Sequence, residues 1–124
     1  MGAYSHGLVL PLGDTDLIFV TGQIAVNSNG QVVSRDITEQ TEFVFQNIGT
    51  ILGEAGADFS DVVKAQIFLT NISDFKAVTP IRNKYFGKAE PVSTLVEVSA
   101  LVVPGCAIEV EVIAAKKRLS PSGQ

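Results

Sequence analysis

Ala107-Ile108-Glu109-Val110-Glu111-Val112-Ile113-Ala114-Ala115 is the stretch on which the fold turns. Its side chains alternate with a period of two, as in a β-strand whose faces meet different surroundings. Ile108, Val110, Val112 and Ala114 make one apolar face, whereas the other mixes Ile113 with Glu109 and Glu111. Such a strand belongs in a sheet with one face on a core.

Moving outward, Pro104-Gly105 separates this strand from another over 93–102, with Thr94, Val96, Val98 and Ala100 on its apolar face. The same reading gives strands over 4–12 and 17–26, joined by a turn around Gly13-Asp14. Ile18, Val20, Ile24 and Val26 are the apolar set of the second of these. A strand over 61–70 aligns Val63, Ala65, Ile67 and Leu69. Residues 38–55 have helical periodicity, with Thr41, Val44, Ile48, Ile51, Leu52 and Ala55 in one stripe. Asp36 is the candidate N-cap, Glu39 completes a capping box, and Gly56 ends the helix. Pro80 inside a second helix would cost about 3 kcal/mol. The reading is therefore a turn over 73–78, then a helix with Thr79 as N-cap and Pro80 at its first position.

The element order is β-β-α-β-α-β-β, an α+β domain over residues 1–118 with a flexible tail over 119–124. The apolar strand faces should lie beneath the two helices. The opposite faces carry Phe19, Phe68, Leu95, Leu101 and Ile113 among Gln23, Lys64, Gln66, Glu97, Glu109 and Glu111. That surface is too apolar for water and too polar for a core, so a subunit interface is expected.

Composition agrees and excludes several classes. The 124 residues suit one domain, and 46% apolar with only 18% charged favours subunit contacts. Nine basic residues are scattered within a net charge of −4, so no stripe for nucleic acid is present. No apolar run approaches the ~18 residues of a membrane span, and no secretory signal is evident. A soluble cytoplasmic protein is expected. The single cysteine, Cys106, permits no intrachain disulfide, fits a reducing compartment, and reads as an inert small side chain. One histidine, His6, cannot build a multi-histidine metal site, and neither a phosphate loop nor a dinucleotide fingerprint occurs. No metal or cofactor is expected.

Several segments together resemble the Rid (YjgF) family along nearly the whole chain. They are 2–6 (Gly-Ala-Tyr-Ser-His), 21–24 (Thr-Gly-Gln-Ile), 61–64 (Asp-Val-Val-Lys), Asp74-Phe75 with Val78, Pro91, 96–98 (Val-Glu-Val) and 108–111 (Ile-Glu-Val-Glu). Order and spacing match, with one extra residue around Val103-Pro104. The resemblance implies a chorismate-mutase-like fold, with a mixed sheet carrying two helices on one face and a homotrimer built around the other. It implies small-molecule clefts between subunits, and hydrolysis of reactive enamines and imines such as 2-aminoacrylate. Endoribonuclease and translation inhibitor are older labels in the family.

The resemblance also assigns residues. A 2-imino acid needs a cation for its carboxylate and a carboxylate to position or deprotonate water. The family arginine falls at Ser93, in Pro91-Val92-Ser93-Thr94, and a hydroxyl neither reaches as far nor carries charge. The family glutamate falls at Glu109, the tyrosine near the cleft at Tyr4, and the glycine close to ligand at Gly22. Thr79 stands where an asparagine is usual and Arg82 where a tyrosine is usual. The cysteine of some members falls at Leu95, so Cys106 is not its equivalent. By parity Ser93 and Glu109 share the interface face.

Each assignment has a plainer counterpart. Glu109 and Glu111 also suit an interface, bonded to backbone or Lys64; Tyr4 also suits simple packing; Arg82 also suits a solvated helix charge. Three functions follow: a deaminase-like hydrolase with weak or altered activity whose cation has moved, with Arg82 the candidate; a hydrolase or binder of an amine ligand without a carboxylate; and a non-enzymatic binding or regulatory trimer.

Overall fold

The computed structural model describes residues 6–118. Its strands are β1 (Gly7–Leu12), β2 (Thr15–Ile24), β3 (Val62–Leu69), β4 (Val92–Glu97) and β5 (Ile108–Lys117), and its α-helices are α1 (Ile37–Glu54) and α2 (Phe75–Phe86). They form one mixed sheet in the order β1-β2-β5-β3-β4, antiparallel except for β3 beside β4. Both helices cover one face, as in the chorismate-mutase-like arrangement expected from the resemblance.

The helix-covered face is the core. Ile67, Leu69, Ile108, Val110 and Ala114 from the sheet meet Val44, Phe45, Ile48, Leu52 and Val78 from the helices, all at 0% exposure. Asp36 caps α1 by accepting from Glu39 N–H at 2.9 Å. The second half of the expected capping box is not made, because Glu39 accepts from the Ser34 hydroxyl instead. The helix closes on the C=O of Leu52 and Gly53, which accept from Ala57 and Gly56 N–H, with Gly56 at φ 80°. Buried Gln40 donates to the Ser34 and Gly105 carbonyls and accepts from Ala107 N–H, which pins the loop before β5 to α1.

Four expectations need correction. α2 begins at Phe75, so Thr79 is an interior residue and not a cap. Asn71 accepts from Ser73 N–H and starts a short 3₁₀ turn that runs straight into the helix. Pro80 has no N–H to give the Lys76 carbonyl, and the helix tolerates this because both residues lie on its exposed side. In β2, Val20 faces Val112 and Gln23 faces Val110, so Thr21 and Gly22 together oppose Glu111. This bulge reverses the alternation beyond it. Gln23 and Ala25 are buried in place of Ile24 and Val26. A second bulge in β3, between Val62 and Lys64, buries Val62 and leaves Val63 47% exposed.

The fourth correction concerns β4, whose faces are reversed. Ser93, Leu95 and Glu97 stand beside Ala65, Ile67 and Leu69, the core residues of β3, whereas Thr94 and Val96 stand beside Gln66 and Phe68. Leu95 therefore packs on the core, and Val96 lies on the open face at 37% exposure. Leu95 is the β4 residue packed against the core, and Ser93 shares a surface pocket with Arg82 and Phe86 of α2. The apolar alternation of β4 marks the uncovered face.

Candidate functional site

The bulge in β2 builds the candidate site. It brings the Gly22 backbone beneath the side chain of Glu109, which projects from β5 with Ile24 and Phe68 as its cross-strand neighbours. A Cβ at Gly22 would lie 2.1 Å from Glu109 Oε2 and 2.6 Å from Cδ. Glycine is needed here for space, since any side chain would evict the carboxylate. Burial, and secondarily the charge of Glu111, pushes the Glu109 carboxyl above the usual range.

Glu109 and Gly22 open into a cleft of about 700 Å³. Gln23, at 6% exposure, donates to the Thr21 carbonyl at 3.0 Å, and its Nε2 lies 3.5 Å from His6 Nδ1. Asn47 and Thr50 of α1 line the cleft from the helix side, and Val102 of the β4–β5 loop also contributes to its wall. The chemical result is a half-buried carboxylate that takes up a proton more readily than an ordinary one, surrounded by amide, hydroxyl and hydrocarbon groups.

Ser93 and Arg82 line a different pocket, of about 390 Å³, with Asn83, Phe86, Glu90 and Pro91. Arg82 donates from Nε and Nη2 to Asn83 Oδ1 at 3.3 and 3.1 Å. The expectation that Ser93 shares a sheet face with Glu109 is overturned. Ser93 lies beside Ala65 on the helix side, whereas Glu109 lies beside Phe68 on the open side, and β3 stands between their strands. Within one chain the assigned residues thus form two groups, Gly22 with Glu109 and Arg82 with Ser93. Thr79 is half-buried on α2 and lines neither cavity. Tyr4 lies outside the described residues.

Sequence reasoning passed over His6, Asn47, Thr50 and Val102 as cleft residues. Asn47 and Thr50 lie off the apolar stripe of α1, and their spacing of three on a helix was the available signal. His6, as a single histidine, carried no signal beyond excluding a multi-histidine metal site. Cys106 is buried, and burial pushes its thiol up, as suits an unreactive side chain.

A small α+β domain with a carboxylate seated on a bulge glycine, at the mouth of an open cleft, defines the class of protein. The chain belongs to the Rid (YjgF) family, whose family model, Endoribonuclease L-PSP, matches residues 1–116. It is 40% identical over 118 residues to a RutC family protein of Pyrococcus abyssi, covering 94% of this chain and 89% of that protein. To human 2-iminobutanoate/2-iminopropanoate deaminase it is 36% identical over 115 residues, covering 92% of this chain and 80% of that protein. Among solved structures, the Rid-family protein YyfA of Yersinia pestis matches with a TM-score of 0.80 at 37% identity, over 92% of this chain and 88% of that one. RidA from the Antarctic bacterium Psychrobacter matches with a TM-score of 0.77 at 30% identity, over 91% and 88%.

Proposed function

We propose that this Rid-family protein hydrolyses the C=N bond of small enamine- and imine-type metabolites and releases ammonia. The observation that carries the reading is Glu109, a carboxylate with a raised pKa, held against Gly22 at the edge of a roomy cleft. In this role Glu109 takes a proton from water as the oxygen adds to carbon, and returns it to nitrogen as the C–N bond breaks. The deaminase name of the human relative supports the same chemistry.

The proposal includes a homotrimer with clefts shared between subunits. Phe19, Phe68 and Ile113 on the open face, with Val92 at 69% exposure, supply the apolar contact that a partner would bury. A neighbour would also let the Arg82–Ser93 group of one subunit meet the Glu109 group of the next. Action on 2-imino acids should be weak, since the resemblance assigns the family's arginine position to Ser93. No α-helix among the described residues is long and apolar enough to cross a membrane, and a cytoplasmic setting belongs to the proposal.

Ammonia release from 2-iminopropanoate, generated in place by an amino-acid oxidase, tests the reading. A slow but measurable rate that disappears in Glu109→Gln is expected. A rate unchanged by that substitution removes Glu109 from the chemistry.

A further inference from the structure

We infer that the cleft selects imines without a carboxylate, taken as the iminium cations of small amine-derived aldehydes and ketones. This rests on the hydrolase reading above and names its substrate class.

Among the described residues lining the cleft, none is lysine or arginine, and the ionisable groups are Glu109 and His6. Glu111 stands two residues along β5 and adds to the negative field, as its effect on Glu109 shows. An imino acid would place a second carboxylate in this field without a partner, whereas an iminium nitrogen would meet an opposite charge. Arg82 lines the separate pocket with Ser93, where it donates to Asn83 and has Glu90 beside it, so a guanidinium brought to the cleft by a neighbouring subunit would arrive with a carboxylate. Lys64 shares a separate recess of about 50 Å³ with Glu111 and lines no part of the cleft.

The walls fit the same substrate. Ile24, Val26, Ile51 and Val102 offer hydrocarbon to an alkyl body, and Asn47 with Thr50 offers oxygen acceptors for N–H groups. The step balances without a co-reactant other than water. Water oxygen bonds to the iminium carbon, one proton passes to Glu109, and the C=N π pair moves onto nitrogen to give a neutral carbinolamine. Glu109 then protonates that nitrogen, and the C–N bond breaks with its electron pair leaving on ammonia. The hydroxyl proton passes to the ammonia, so a carbonyl compound and ammonium are the products.

The experiment compares two imines on the purified full-length protein by ammonia release. One is the imine of propylamine, formed by a flavin amine oxidase, and the other is 2-iminopropanoate. We expect at least tenfold faster release from the amine-derived imine, loss of that rate in Glu109→Gln, and a shift toward 2-iminopropanoate in Ser93→Arg. Preference of the wild type for 2-iminopropanoate overturns the inference and leaves the hydrolase reading standing. If neither imine is turned over, the hydrolase reading falls. Ligand class is then read from thermal shifts with isopropylammonium and with propanoate. Stabilisation by isopropylammonium alone supports the selectivity, and equal or greater stabilisation by propanoate overturns it.

Discussion

The two faces of the sheet use the same strands for different ends. On β3, Ile67 points to the helices at 0% exposure, and its neighbour Phe68 points to the open side, half-buried. On β5, Val110 is fully buried and Glu109 stands on the cleft. Covered positions carry hydrocarbon matched to helix side chains, so their substitution is felt as stability. Open positions mix hydrocarbon with ionisable groups, so theirs should be felt as assembly and chemistry, and each prediction below tests that division.

The largest effect is expected at Glu109. Glu109→Gln keeps the shape and removes the proton carrier, so imine hydrolysis should fall by about 100- to 10,000-fold, with the melting temperature nearly unchanged. An equal loss of folding stability would show Glu109 to be a core element. Next is Ile67→Ala, which should cost about 2–5 kcal/mol in urea unfolding. A cost below about 0.5 kcal/mol would mean that the covered face is not the core.

Phe68→Lys, one residue along, should leave the fold intact and convert a trimer to smaller species in light scattering. A stable monomer for the unchanged protein would end the interface argument. Leu95, expected from the sequence on the interface face, packs against the core and would not serve this test.

Gly22→Ala should reduce hydrolysis at least tenfold with little change in unfolding, because the methyl group displaces only the end of the Glu109 side chain. Full activity in that variant would show that the carboxylate works from another position.

The smallest effect is the pH dependence of stability. Glu109 is raised in the folded chain, so between its ordinary value near 4.5 and the raised one the fold holds a proton that the unfolded chain has lost. Stability from this group therefore falls as pH rises through that window. Glu42 runs the other way. Hydrogen bonds from Lys84 and Tyr85 hold it low, so its contribution is present above the ordinary value and is lost as pH falls through the lowered one. Glu109→Gln and Glu42→Gln should alter the slope of stability against pH in opposite senses, and slopes that change alike would contradict the assignment.

Much of the molecule was legible from residue order. The stripe of α1, Asp36 and Gly56 at its ends, and the alternation of β5 depend on neighbours within a few residues, and the structure contains each of them. The family segments around Gly22 and Glu109 were legible too. The contact between those two residues was not, because they lie 87 positions apart; Gly22 inside a strand pattern hints at a bulge but not at which side chain lies over it.

The sequence by itself determined the α+β class, the order of elements, the family, and that each central strand has two unlike faces. Only the tertiary structure decided which residues take which face. Alternation reveals a period but not a phase. The extra residues in β2 and β3 reverse the phase without changing the composition, so Gln23 and Val62 are buried while Val63 is exposed. In β4 the phase is set by parallel pairing with β3, which places Ser93 on the helix side and away from Glu109. Position in space follows from register, and register is fixed by partners distant in the chain.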